Sequence, residues 1–124
     1  MNQELNEISI NGVEYVRKDS VKTTPKLNKD NASIVRTVSA GVFFGYPSSM
    51  DLAKGLVTLK NVRRLWYWSG AASLSQLAVD GTSKPSECKF PTEVEEIQLT
   101  NVIEVIKCTE KAVDSLTSVK IWNE

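Results

Sequence analysis

The sequence predicts an α+β fold, with a largely antiparallel sheet of about four to six strands and two short helices, preceded by an N-terminal β-hairpin. Apolar side chains recur with period two in several separate stretches and with helical spacing in only two. No strand–helix–strand rhythm runs along the chain, so a parallel, doubly wound sheet is not expected.

The first alternating run, Ile8 to Val16, is broken by Asn11-Gly12, a pair that tolerates the positive φ angles of a tight hairpin turn. Arg17 to Ala32 is polar, charged and poor in apolar residues, and reads as a linker. Residues 1–32 are therefore expected to form a hairpin and linker, and residues 33–124 a single compact domain. From Ile34 to Tyr46 the apolar side chains hold even positions: Ile34, Val38, Ala40, Val42, Phe44 and Tyr46. That alternation predicts one long half-buried strand. Pro47-Ser48-Ser49 predicts a loop reaching Gly55. Strands follow at Leu56–Leu59 and Val62–Trp68, separated by a turn at Lys60-Asn61.

Ser69-Gly70 is expected to cap a helix running from Ala71 to Val79, with Ala71, Leu74, Leu77 and Ala78 on its core face and Gly81 just past its end. After a loop over Thr82–Thr92, alternation from Glu95 to Lys107 predicts one more long strand. Thr109 suits the N-cap of a last helix whose core face is Ala112, Val113 and Leu116, and Val119 to Trp122 closes the chain as an extended piece.

Composition removes whole classes of function. The chain has 124 residues, with 15 Lys+Arg against 15 Asp+Glu and no histidine. Zero net charge argues against nucleic acid as the partner, because neutralising phosphates takes a basic excess. Without histidine there is no Ser-His-Asp triad, no Cys-His pair and no His-ligated metal. Cys88 and Cys108 alone leave a four-ligand zinc site half filled, and they are expected to be reduced thiols. No run of apolar residues is long enough for a membrane span, and the polar start at Met1–Glu7 is not that of a signal peptide. The acidic residues Asp80, Glu93, Glu95, Glu96 and Glu104 sit at expected loops or exposed strand positions, so no catalytic set, cofactor or metal is expected.

The densest chemistry lies between Val62 and Ser73. On a strand, Arg64, Trp66 and Trp68 share one face while Arg63, Leu65 and Tyr67 take the other. Arginine forks suit phosphate and indole faces suit a base. Ser69, Gly70 and Ser73 stand at the expected helix N-terminus, where free N–H groups favour an anion. Arg36, on the apolar face of the first strand, is a further ligand candidate, with a solvated or paired charge as the plainer reading. Ser39, Ala40 and Gly41 are small enough to line a pocket. The plain reading of the aromatic stretch is equally clear: strand aromatics form core, arginine covers tryptophan, and Ser-Gly caps a helix.

The segments Arg36–Val42, Val57–Ala71, Ser73–Ala78 and Ile103–Thr109, above all the Arg63-Arg64-x-Trp66-x-Trp68-x-Gly70-Ala71 block, resemble a family of small phage and prophage proteins with a domain of unknown function. The resemblance runs over residues 33–122. It implies a phage origin and residence in the host bacterial cytoplasm, and it brings no catalytic residue with it. Joined to the arginine–aromatic block, it leads to the expectation of a non-enzymatic anti-defence inhibitor that binds and sequesters a nucleotide-like signalling molecule. The alternative is a phage structural or protein-interaction accessory protein with no small ligand. Phe43, Trp66, Trp68 and Trp122 are more rings than one small domain is expected to bury, so a homo-oligomer, a dimer first of all, is expected.

Overall fold

In the computed structural model, which describes residues 31–123, the apolar run Ile34–Tyr46 is folded in two rather than extended. Strands β1 (Ser33–Thr37) and β2 (Val42–Asp51) pair antiparallel, with Ile34 opposite Phe44 and Val35 opposite Phe43. Thr37 clamps the reversal: its hydroxyl accepts from Ala40 N–H at 2.9 Å and donates to Gly41 O at 3.0 Å. Even residues remain opposite even residues across this turn, so the alternation passes through the reversal without a break. One long strand and a tight hairpin therefore carry the same pattern.

The expected loop at Pro47–Ser49 is strand. β2 continues through it with two irregularities in register against β3 (Leu56–Arg64). Pro47 is tolerated because the β1 ladder has ended at Ser33, opposite Gly45, and its carbonyl accepts instead from Asn31 Nδ2 at 2.6 Å. The expected turn at Lys60-Asn61 is a bulge inside one strand. Phe44 faces Arg63 and Tyr46 faces Lys60, so Asn61 and Val62 together oppose Gly45, and Asn61 adopts φ 49°. The bulge switches parity: Val57 and Leu59 before it and Val62 after it share one core. β3 then ends at Arg64, so Leu65–Trp68 is not strand as expected, apart from a single bridge between Tyr67 and Lys89.

The strand expected over Glu95–Lys107 is likewise two, β4 (Val94–Leu99) and β5 (Val102–Lys107), divided at Asn101 with φ 56°. They do not pair with each other. The five-stranded antiparallel sheet has the order β4-β3-β2-β1-β5, which puts them on opposite edges. Four strand spacings cover about 19 Å in a flat sheet. The link through Thr100 and Asn101 reaches at most about 11 Å. The sheet must roll until its edges approach at that end, and Val102 N–H donating to Gly55 O at 3.0 Å marks the closure.

Rolling creates two cores. Inside lie Val35, Phe43, Val57, Leu59, Val62, Leu99 and Val102. The outer face, with Ile34, Phe44 and Tyr46, is covered by α1 (Leu74–Asp80) and α2 (Glu110–Ser118) through Leu77, Ala78, Ala112, Val113 and Leu116. The fold is thus α+β with two helices, as expected. Thr109 caps α2 through Ala112 N–H, also as expected. The cap of α1 is Ser73, accepting from Gln76 N–H, and the helix begins later than Ala71. Ala71 and Leu74, expected on its core face, are only half-buried. The hairpin at Ile8–Val16 and all but the last two residues of the linker lie outside the described residues. Ala32 is fully buried and its carbonyl accepts from Cys108 N–H at 2.9 Å, so packed chain reaches back past the expected start at Ser33. Among the described residues no helix is long and apolar enough to cross a membrane.

Gly81 ends α1 with φ 75°, and a Cβ there would lie 2.3 Å from Ser115 Cβ on α2. Gly81→Ala is expected to lower stability by about 1–3 kcal/mol, through strain at positive φ and separation of the helices. Chemical denaturation checks this, and an unchanged midpoint would contradict the tight helix contact.

Candidate functional site

Arg63 and Arg64 end β3, and consecutive strand residues point to opposite faces of a sheet. Arg63 points outward under the helices and is only 5% exposed. Its Nη1 donates to Val119 O at 2.6 Å and Leu116 O at 3.3 Å, and its Nη2 to Phe90 O at 2.9 Å and Lys120 O at 3.4 Å. A cation among carbonyls at the end of α2 is favoured by the helix dipole, and only a planar fork reaches both sets. Its Nε has no hydrogen-bond partner among the described residues. Burial pushes its pKa down, partly countered by Glu93. Arg63 therefore holds the C-terminal segment and is not in the groove where a ligand role had been expected.

Arg64 is exposed. Its Nη1 donates to Ala40 O at 2.8 Å, and its guanidinium carbon stands 4.5 Å from the centroid of the Phe43 ring. Beside it runs a groove of about 450 Å³, walled by Ser39, Ala40, Gly41 and Val42 of the β1–β2 reversal and by Leu65, Trp66 and Trp68. Arg64, Trp66 and Trp68 thus meet as expected, but through an irregular segment after β3 instead of one strand face. Trp68 is half-buried against the outer core. Trp66 is 58% exposed and stacks on Trp122, with ring centroids 5.3 Å apart and planes at 15°. Lys89 Nζ lies 5.5 Å from each of these two rings.

The remaining candidates stand elsewhere. Ser69 and Gly70 do not cap α1, which starts further on behind Ser73; they dock on the loop that follows α1. Thr82 Oγ1 donates to Ser69 O at 2.5 Å, and Ser83 N–H to Gly70 O at 3.2 Å. A Cβ on Gly70 would lie 2.6 Å from Lys84 N, so only glycine allows this approach. Ser69 Oγ donates to Glu87 Oε1 at 3.1 Å, which puts a carboxylate where an anion had been expected. Ser73 spends its hydroxyl on its own helix. Arg36 pairs with Glu104 across β1 and β5 at 2.8 Å, exposed and away from the groove, so of the solvated, paired and ligand-facing readings of that charge the structure has the paired one. Trp122 and Lys89 were missed, since neither belongs to a periodic pattern and only the chain's return past Phe90 brings them to Trp66.

Among the described residues no cluster of His, Cys, Asp or Glu could hold a metal. Both cysteines are free and buried. Cys88 Sγ contacts Ser69 O, Thr82 Oγ1 and Lys84 O, each at 3.6 Å, and helps hold the loop contact just described. Burial pushes the Cys108 thiol up to about 12, partly offset by the backbone of Ile34.

A rolled antiparallel sheet with helices on its outer face and an open cationic–aromatic groove makes this a small α+β module. Residues 30–116 match the model of a family described as a domain of unknown function (DUF6948), and the chain belongs to that family. No curated protein and no solved structure matches it. The match ends inside α2, ahead of Val119 and Lys120, two of the residues whose carbonyls accept from Arg63, and of Trp122, on which Trp66 stacks.

The two arginines should respond differently to substitution. Arg63→Ala is expected to cost about 2–4 kcal/mol, with no rescue by Arg63→Lys, because several buried carbonyls lose a donor. Arg64→Ala is expected to cost about 1 kcal/mol or less, for a cation–ring contact at the surface. Urea midpoints of the variants decide, and equal losses would contradict the assignment of sides. Cys108 adds an alkaline signature. Its folded pKa is raised, so its contribution to stability is complete below the ordinary value of 9.0 and fades as pH climbs towards about 12. Cys108→Ala should flatten stability across that window, as read by thermal unfolding at stepped pH.

Proposed function

We propose that this protein is a non-enzymatic binding module whose groove at Arg64, Trp66 and Trp68 captures a planar anionic, nucleotide-like ligand. The supporting observation is the convergence of an exposed guanidinium and two indoles on an open groove with a wall of small residues. Among the described residues, the Ala40 carbonyl is the hydrogen-bond partner of Arg64, which leaves other donors of the fork for a phosphate. Indole faces supply stacking for a base. Arg36, Arg63, Ser69, Gly70 and Ser73 form no part of this reading. In a phage setting, which the sequence resemblance implies, such a module would sequester a nucleotide signal in the host cytoplasm without turning it over.

A second reading, a protein-interaction accessory or homodimer, draws on one observation: Trp66, Tyr67 and Ile121 lie close together in the irregular ribbon beside Phe90 and are all about half or more exposed. Light scattering separates a dimer from a monomer, and a monomer at micromolar concentration removes the homodimer form of this reading.

Thermal shift against cyclic and linear nucleotides tests the first reading, because a ligand that binds only the folded state must raise the melting temperature. With AMP as the probe, Arg64→Ala is expected to weaken binding about tenfold or more, since a charge-assisted hydrogen bond is lost. Arg64→Lys should recover only part of it, for want of the planar fork. No shift with any nucleotide, or an Arg64→Ala variant that binds as the parent does, would remove the reading.

A further inference from the structure

Trp66 rims the groove from irregular backbone just past the end of β3, between Leu65, whose N–H donates to Val42 O at 2.8 Å, and Tyr67, bridged to Lys89. An exposed indole on irregular backbone has rotamer freedom that a ligand must remove. Its fixed neighbour is Trp122, stacked at 5.3 Å. Trp122 in turn is held by its own backbone, whose N–H donates to Phe90 O at 2.9 Å, with Ile121 bridged to Phe90 beside it. Just upstream, the carbonyls of Val119 and Lys120 accept from buried Arg63. The anchorage therefore runs from the sheet through Arg63 to the C-terminal segment, and from there through the indole stack to the groove. Lys89 Nζ, 5.5 Å from the centroid of each ring, is a cation shared by the stacked pair.

We infer that Trp122 is a positioning residue of the groove: by covering one face of Trp66 it holds that indole at the rim, with its freedom removed before any ligand arrives. The inference rests on the groove reading above, and Trp122 itself touches no ligand in it. It gives the segment after the family match a role in binding, although the proposed contacts all lie within the match.

The test uses the full chain labelled with 5-fluorotryptophan, whose tryptophans Trp66, Trp68 and Trp122 give separate fluorine resonances assigned by substitution. Trp122→Phe keeps a ring on Trp66, whereas Trp122→Leu keeps apolar cover without the stack. In Trp122→Phe the Trp66 line should stay single and sharp, and AMP affinity should stay within about twofold of the parent. In Trp122→Leu the line should broaden or split, and AMP affinity should fall roughly three- to tenfold, the size of a lost aromatic pair. A sharp Trp66 line in Trp122→Leu overturns the inference, as does a broadened line with unchanged AMP affinity. Should the parent bind no AMP, the groove reading falls, and the fluorine line alone decides positioning: broadened in Trp122→Leu and sharp in Trp122→Phe supports it, and any other pattern overturns it.

Discussion

Thr100 and Asn101 are the whole connection between β4 and β5, strands that lie on opposite edges of the sheet. Nothing longer than a tight link joins them, so the sheet cannot lie flat. Its concave side then buries Phe43, Leu59 and Val62 with no helix laid over them, and its convex side is left for α1 and α2. β1 and β2 thus have two apolar faces over part of their length. This explains neighbouring buried pairs such as Ile34 with Val35 and Phe43 with Phe44, which a sheet with one solvated face would not contain. The irregularities serve the same curvature: the bulge at Asn61 and the register shift between Arg36 and Thr37 bend strands that would otherwise splay.

Among the described residues, Arg63 is the charged side chain that this architecture buries. It crosses the outer core to the end of α2 and meets carbonyl dipoles, with a distant Glu93 as its electrostatic support. A buried cation is tolerated where it is hydrogen-bonded, and here each bond also closes off a carbonyl that ends a helix or crosses a loop. The side chain therefore replaces a ladder: β3, Phe90 and the segment after α2 have no common sheet, yet they are tied by one guanidinium. Lysine offers no equivalent, because its ammonium cannot present parallel donors to carbonyls on two chain segments.

Local signals in the sequence were read correctly where one residue type decides the structure. Thr109 as a cap, Gly81 as a helix end and the core face of α2 each rest on side chain and backbone within one turn. The strand boundaries were legible only in part. The reversal after Thr37 preserves parity and leaves no trace in the alternation, while Asn61 at positive φ makes a bulge inside β3 and Asn101 at positive φ divides β4 from β5, with no glycine or proline to announce either. The candidate site suffered from a different ambiguity. Tandem arginines on a strand must face opposite ways, but which of them meets the helices depends on the bulge two residues earlier and on where α2 packs. Ser69-Gly70 illustrates the converse error. Its composition suits a helix cap, and its glycine is required, but for close packing against Lys84 and not for a helix start.

Arg64 gains its character from the position Arg63 leaves to it. After the bulge, Val62 and Arg64 share the concave face, and Arg64 stands where the rolled sheet opens, across the ring of buried Phe43. A guanidinium laid on an aromatic face keeps its N–H donors directed outward around its edge. One of these is taken by Ala40 O, which fixes the rotation of the group and sets its free edge beside the groove. The contact that closes the inner core therefore also orients the fork. An aliphatic substitute would cover Phe43 without offering donors, and a lysine would offer a charge without a fixed direction. Packing, and the recognition proposed for the groove, thus ask for the same side chain at this position through different parts of it: the flat face for the core and the edge for the groove.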